Sequence, residues 1–195
     1  MRDEGERSRR EFLTAVGGGF GGALLLAAWP QVIEAAEHAE RAVRSGTRQP
    51  FVNLTAAEAA DFEAFASQII PSDGTPGAKE AGVVYFLEHA LGTFAKDQKE
   101  PTKKAIAATN AAATKRWPGV RQFSKLTDAQ QKELMTAMEN DKELRQPFNS
   151  LRGTTVIGTF CPTTRGGNRN KVGFKILGFD DSYSFVPPFG YYDRA

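Results

Sequence analysis

Between Asn53 and Pro71 the chain reads NLTAAEAADFEAFASQIIP, a segment whose signals all point to a helix. Thr55 is placed to accept from the backbone three residues on, and Glu58 to reach back to the Thr55 amide, the reciprocal arrangement of a capping box. Phe62, Phe65, Ala66, Ile69 and Ile70 recur at the spacing of one helix face, and Pro71 ends the run. TDAQ repeats the capping logic at Thr127 with Gln130, and the segment continues through Leu134 and Met138. Another helix is expected from Glu80 to Leu91, with Val83, Phe86, Leu87, Ala90 and Leu91 inward and Gly92 at its end. An alanine-rich one runs from Pro101 to Trp117, stopped by Pro118–Gly119. A last one starts near Pro147, a favoured first helical position, with Phe148, Leu151 and Thr155 on one stripe. PSDGTPGAKEAG joins the first two helices as a turn-rich connection. No strand-period alternation of useful length is present. The expected body, residues 55–160, is an all-α compact bundle of about five helices.

Residues 161–195 differ in kind. CPTTRGGNRNKVGFKILGFDDSYSFVPPFGYYDRA holds glycine pairs, prolines and the aromatics Phe174, Phe179, Tyr183, Phe185, Phe189, Tyr191 and Tyr192. This composition predicts an extended, irregular tail without a regular helix, yet one too apolar to stay solvated. It has to lie on something. Its own helical body and the groove of a partner, where Tyr and Phe are common anchors, are both open.

The N-terminus carries SRREFL at Ser8–Leu13, followed by TAVGGGFGGALLLAAWP. Arg9 and Arg10, with Phe12 and Leu13 beside them and an uncharged run behind, read as a twin-arginine export signal. The five glycines between Gly17 and Gly22 keep the run weakly hydrophobic and disfavour a soluble helix. Phe12–Trp29 is barely long enough to span a bilayer, so a membrane anchor is the competing reading. The signal segment is placed at residues 1–36, with cleavage near Ala35–Ala36, and a polar linker at 37–54. Twin-arginine signals serve proteins that cross a membrane already folded, often with a cofactor in place. A periplasmic location follows from that reading.

Composition narrows what such a chain does by itself. With 41% hydrophobic and 25% charged residues it is globular in type, and a net charge of +2 gives no reason to invoke nucleic acid. Cys161 is the one cysteine, and His38 and His89 are the two histidines, so neither an iron–sulfur cluster nor a c-type haem can be built. No glycine fingerprint for a dinucleotide and no P-loop is present. The chain is expected to hold no cofactor and no metal. RGGNRNK, with Arg165, Arg169 and Lys171 around Gly166 and Gly167, fits a tight turn with solvated cations better than a phosphate site. Asp73, Glu80 and Glu88 are the carboxylates a hydrolytic mechanism would need, but their spacing is that of a polar helix face. No catalytic residue is assigned.

With these pieces in place, the chain resembles the gluconate 2-dehydrogenase subunit 3 family. FASQIIPSDGTPGAKEAGVVYFLEHAL carries the likeness through Ile69, Ile70, Pro71, Asp73, Pro76, Gly77, Ala78, Ala81, Gly82 and Val83. FNSLRGTTVIGTFCPTTRGGNRNKVGFKILGF carries it through Gly166, Gly167, Asn168, Gly173 and Phe174. Arg165 stands where the family usually has tyrosine, and Phe174 where it usually has tryptophan. The resemblance implies a non-catalytic small subunit of an FAD-dependent sugar or polyol dehydrogenase. FAD and the chemistry would then sit on a large partner subunit, and the small chain would support that partner's folding and its passage through the twin-arginine translocase. It leaves open a cytochrome c subunit as a third member. Cys161, Arg165, Gly166, Gly167, Asn168, Phe174, Phe189, Tyr191 and Tyr192 are the candidate partner contacts. Cys161 is open to three readings, a buried thiol, an intersubunit disulfide or a disulfide between two copies of this chain. The alternative to the whole assignment is a free-standing exported or membrane-anchored binding protein.

Overall fold

Two threonines start two of the helices as the sequence requires. A computed structural model describes residues 34, 50–161 and 171–179. Among them lie six α-helices: α1 (Ala56–Ile69), α2 (Val83–Gly92), α3 (Lys99–Arg116), α4 (Asp128–Asn140), α5 (Arg145–Phe160) and α6 (Val172–Leu177). No strand occurs among the described residues. Both capping boxes are complete, Thr55 with Glu58 and Thr127 with Gln130, each stabilising its helix by about 1 kcal/mol. Pro101 and Pro147 fall in the first turns of α3 and α5, where an amide hydrogen has no partner within the helix to lose. Asp141 launches α5 by accepting from the Glu143 and Leu144 amides at 2.8 and 3.0 Å. Those two backbone bonds hold its carboxyl below the usual range.

The other five helices all pack against α5. Beside Phe148 and Leu151, its inward surface is made of small or short residues, Ser150, Gly153, Thr154, Thr155, Gly158 and Thr159, so neighbours come close on several sides. The three buried threonine hydroxyls need no outside partner. Thr154, Thr155 and Thr159 donate to the carbonyls of Ser150, Leu151 and Thr155 at 3.1, 2.9 and 2.8 Å. Around α5, Phe62, Phe65, Phe123, Phe148 and Leu151 fill the core. Phe65 meets Phe148 edge-on with centroids 5.7 Å apart and Phe123 at 6.0 Å. Such pairs each contribute about 0.5–1.5 kcal/mol beyond area burial.

Three features depart from what the sequence predicts. α2 starts at Val83 rather than Glu80, because Gly82 takes a left-handed conformation (φ 73°) that interrupts the helix before it. Residues 51–54, assigned to the linker, belong to the body: Leu54 is buried, and Phe51 stacks on Tyr85 with centroids 5.6 Å apart. The tail also contains a regular helix, α6, whose Val172 is buried in the main core. Glycine and lysine density hid it, since a helix this short is fixed by its ends and its docking rather than by periodicity.

Gly158 tests the central role of α5. A Cβ there would lie 2.9 Å from Val83 Cγ1 and 3.1 Å from Phe86 Cδ1. Gly158→Val is expected to destabilise the fold by about 2–3 kcal/mol through overpacking. The readout is a lower denaturation midpoint at unchanged slope; an unchanged midpoint would show that α2 and α5 are not pressed together there.

Candidate partner-binding surface

The IIPSDGTPGAKEAGV segment is a folded loop held by its own backbone. The Ala78 amide donates to the Ile70 carbonyl at 2.9 Å, and the Ala81 amide to the Gly77 carbonyl at 3.0 Å. Gly77 lies so close to the end of α1 that a Cβ would fall 2.4 Å from the Ile70 carbonyl oxygen and 2.7 Å from the Pro71 carbonyl carbon. Ala78, Ala81 and Val83 are buried beneath the turn. Glu80 closes it, accepting from the Ser72 hydroxyl at 2.6 Å and from the Gly77 amide at 2.8 Å. Partial burial pushes the Glu80 carboxyl up, but the Ser72 and Gly77 bonds, with Lys79 nearby, outweigh it and leave it below its ordinary value of 4.5.

Glu88, on α2, is 6% exposed and turned towards the strap before α1. Its carboxylate accepts from the amides of Val52, Asn53 and Leu54 at 2.7, 2.7 and 3.0 Å. Asp73 is exposed. The three carboxylates considered for acid–base work are therefore not brought together: Glu80 and Glu88 each serve a different stretch of backbone. Spacing also missed a fourth, Asp61, which is buried and joins α1 to the Phe123 turn. It accepts from Asn110 Nδ2 at 2.7 Å, from the Ser124 amide at 3.0 Å and from the Ser124 hydroxyl at 2.6 Å. The available signal was a charged residue beside Phe62, in register with the apolar face. Among the described residues, no group of three or more His, Cys, Asp or Glu could hold a metal ion, and no helix is long and apolar enough to cross a membrane.

Cys161 caps the C-terminus of α5 and is 6% exposed, packed with Phe86. Its thiol lies 3.6 Å from the Gly158 carbonyl oxygen. Phe174 lies on α6, which ends in a left-handed glycine, Gly178 (φ 61°). The Phe179 amide donates to the Phe174 carbonyl at 2.8 Å and the Gly178 amide to Lys175 at 3.2 Å. This is a Schellman closure, and its usual apolar contact is made by Phe174 against Phe179, edge to face at 5.0 Å. Leu177 and Phe179 are 64% and 50% exposed, two of the three large hydrophobic side chains exposed among the described residues. Exposed Lys171 and Lys175 lie in the same short segment. The export-signal residues Arg9, Arg10, Phe12 and Leu13 lie outside the described residues, as do Arg165, Gly166, Gly167, Asn168, Phe189, Tyr191 and Tyr192.

Residues 56–180 match the family described as gluconate 2-dehydrogenase subunit 3. The chain belongs to this family. The matched span takes in all six helices, the Gly77 loop and the Phe174–Phe179 closure. No curated protein and no solved structure matched the chain. Membership in the subunit 3 family makes the chain an accessory subunit of a dehydrogenase complex, associated with a large subunit. The turn that carries the subunit 3 likeness, Pro76–Val83, has a structural reason for its small residues: Gly77 lies against backbone that cannot yield.

Two outcomes follow for this loop. Gly77→Ala is expected to lower stability by at least about 2 kcal/mol, since the clash is with main chain; a midpoint equal to wild type would contradict the close approach. Glu80 links the loop to pH. Its carboxyl is lowered in the folded state, so its contribution is complete above 4.5 and is lost as pH falls through the lowered folded value. Wild type should therefore lose more stability than Glu80→Gln when taken from neutral to strongly acidic pH, in chemical denaturation at each pH. Equal losses would show that the Glu80 carboxylate does not hold the turn.

Proposed function

We propose that this chain is the non-catalytic small subunit of an FAD-dependent sugar or polyol dehydrogenase. In this reading the complex works in the periplasm or on the outer face of the inner membrane. The large subunit carries FAD and oxidises the substrate. The small subunit supports its folding and lends it a twin-arginine signal. The family match over residues 56–180 carries the reading, and SRREFL at Ser8–Leu13 gives the route. A chain with one cysteine and two histidines has little need of folded export on its own account; a flavin-loaded partner travelling with it supplies that need. The engagement of Asp61, Glu80 and Glu88 with structural partners supports a non-catalytic role.

Phe174 is the described candidate contact best placed to meet the large subunit. With Leu177 and Phe179 it forms an apolar knob held in shape by the Schellman closure, so little side-chain order has to be gained on docking. Two experiments test the reading. Replacing Arg9 and Arg10 together by lysine should leave both this chain and active large subunit in the cytoplasm. Delivery of active dehydrogenase to the periplasm by that variant would exclude the escort role. Phe179→Asp should weaken association with the flavin-carrying large subunit by about tenfold or more, as loss of an aromatic anchor does, measured by titration of the two purified chains. Unchanged affinity would place the contact elsewhere.

A further inference from the structure

Charge is unevenly spread along this chain. From Pro50 to Cys161 there are 13 lysines and arginines and 13 aspartates and glutamates, so the helical body is neutral overall. From Pro162 to Phe179 there are four cations, Arg165, Arg169, Lys171 and Lys175, and no acid before Asp180. Lys171 is the N-cap residue of α6 and Lys175 lies in its last turn. Both are exposed, and they share this short element with the exposed Leu177 and Phe179. Positive charge and outward apolar surface coincide there, beside a body whose charges balance.

Lys171 stands there against the preference of its backbone. Its φ is 58°, and it is the one non-glycine residue with a positive φ among the described residues. A left-handed backbone crowds Cβ and favours glycine, the residue used at the other end of α6, where Gly178 has a φ of 61°. The neighbouring Val172, 1% exposed and packed in the main core, holds the turn in place. A position that only had to turn the chain would carry glycine; lysine adds a cation on a fixed stem. Strain of this kind collects where it serves a site. Anchored by Val172 and closed by Phe179 on Phe174, α6 presents two cations and two apolar side chains in one arrangement.

We propose that the large subunit receives α6 in an apolar socket bordered by carboxylates. Leu177 and Phe179 fill the socket, and Lys171 and Lys175 meet its acidic border. This rests on the subunit reading above. The two parts act differently. Exposed lysines steer the encounter and so set the association rate, whereas apolar anchors slow dissociation. An anionic lipid surface carries the same charge as such a border. Membrane affinity, however, scales with the apolar area inserted, and two side chains on a closed turn offer little.

The test follows the full chain binding to immobilised flavin-carrying subunit by surface plasmon resonance, at low and high salt. The double variant Lys171→Gln, Lys175→Gln should associate about fivefold more slowly at low salt, with dissociation nearly unchanged. At high salt, where exposed charges are screened, it should match wild type. Lys171→Gly keeps the turn and removes strain and cation together. It should raise the denaturation midpoint and still slow association, a pairing that a purely structural lysine would not give, and it carries the test if the double variant does not fold. Lysine variants with wild-type association at low salt, beside a weakened Phe179→Asp, would overturn the acidic border and leave the subunit contact standing. A wild-type chain that binds no flavin-carrying subunit would remove the subunit reading itself. Salt-sensitive binding to vesicles of phosphatidylglycerol and phosphatidylcholine, lost in the lysine variants while their subunit rates stay at wild type, would assign α6 to a lipid surface and overturn the proposal.

Discussion

The bundle depends on the narrowness of α5. A helix that touches every other described helix must let them come close, and α5 does so with glycine, serine and threonine at six of its eight buried positions. Threonine in a buried helix normally leaves a hydroxyl to be satisfied. Here each buried threonine returns its hydroxyl to the carbonyl four residues before it, so the surface stays thin and internally paired. The phenylalanines of α1, the Phe123 turn and α5 itself then fill the space around it. Large side chains in place of its glycines, serine and threonines would force the surrounding helices apart and leave that aromatic core unfilled.

Asp61, Gln131, Glu88 and Glu80 follow a second rule: each is bound to another part of the chain. Asp61 ties α1 to the Phe123 turn and to Asn110 of α3. Gln131 reaches the Phe123 and Leu126 carbonyls at 3.3 and 3.2 Å. Glu88 holds the strap and Glu80 holds the Gly77 loop. An active site needs charged groups whose hydrogen-bonding capacity is left over for substrate, with mutual geometry that brings them to one place. These carboxylates face different segments and are occupied where they are. What the described body does offer outward at α6 is a pair of exposed apolar side chains, Leu177 and Phe179.

Legibility from the sequence followed physical range. The helices with local signals, the capping boxes at Thr55 and Thr127 and the stop at Pro71, were readable because caps and stops act over three or four residues. The inward positions Phe62, Phe65, Leu87, Leu134, Met138, Phe148 and Leu151 followed from the helical period. The start of α2 was misplaced because only the backbone of Gly82 shows the left-handed turn. Glu88 looked like one more charge on a polar face, since its partners lie 34 to 36 residues away. α6 was missed for the same reason: its Val172 is held by the distant core and its end by Gly178. Phe174 was nominated as a contact through family likeness, and its exposed neighbours Leu177 and Phe179 emerge only once the closure is seen.

The central proposal is that this chain is a cofactor-free subunit of a flavin-dependent complex. Native mass spectrometry of the material purified through this chain, with the visible spectrum recorded before and after dissociation, measures it most directly. The account predicts an assembly with a larger chain, flavin absorbance that leaves with that larger chain, and a colourless subunit of the mass of this one. A chain that runs alone or only with copies of itself, or that retains the flavin after dissociation, would contradict it.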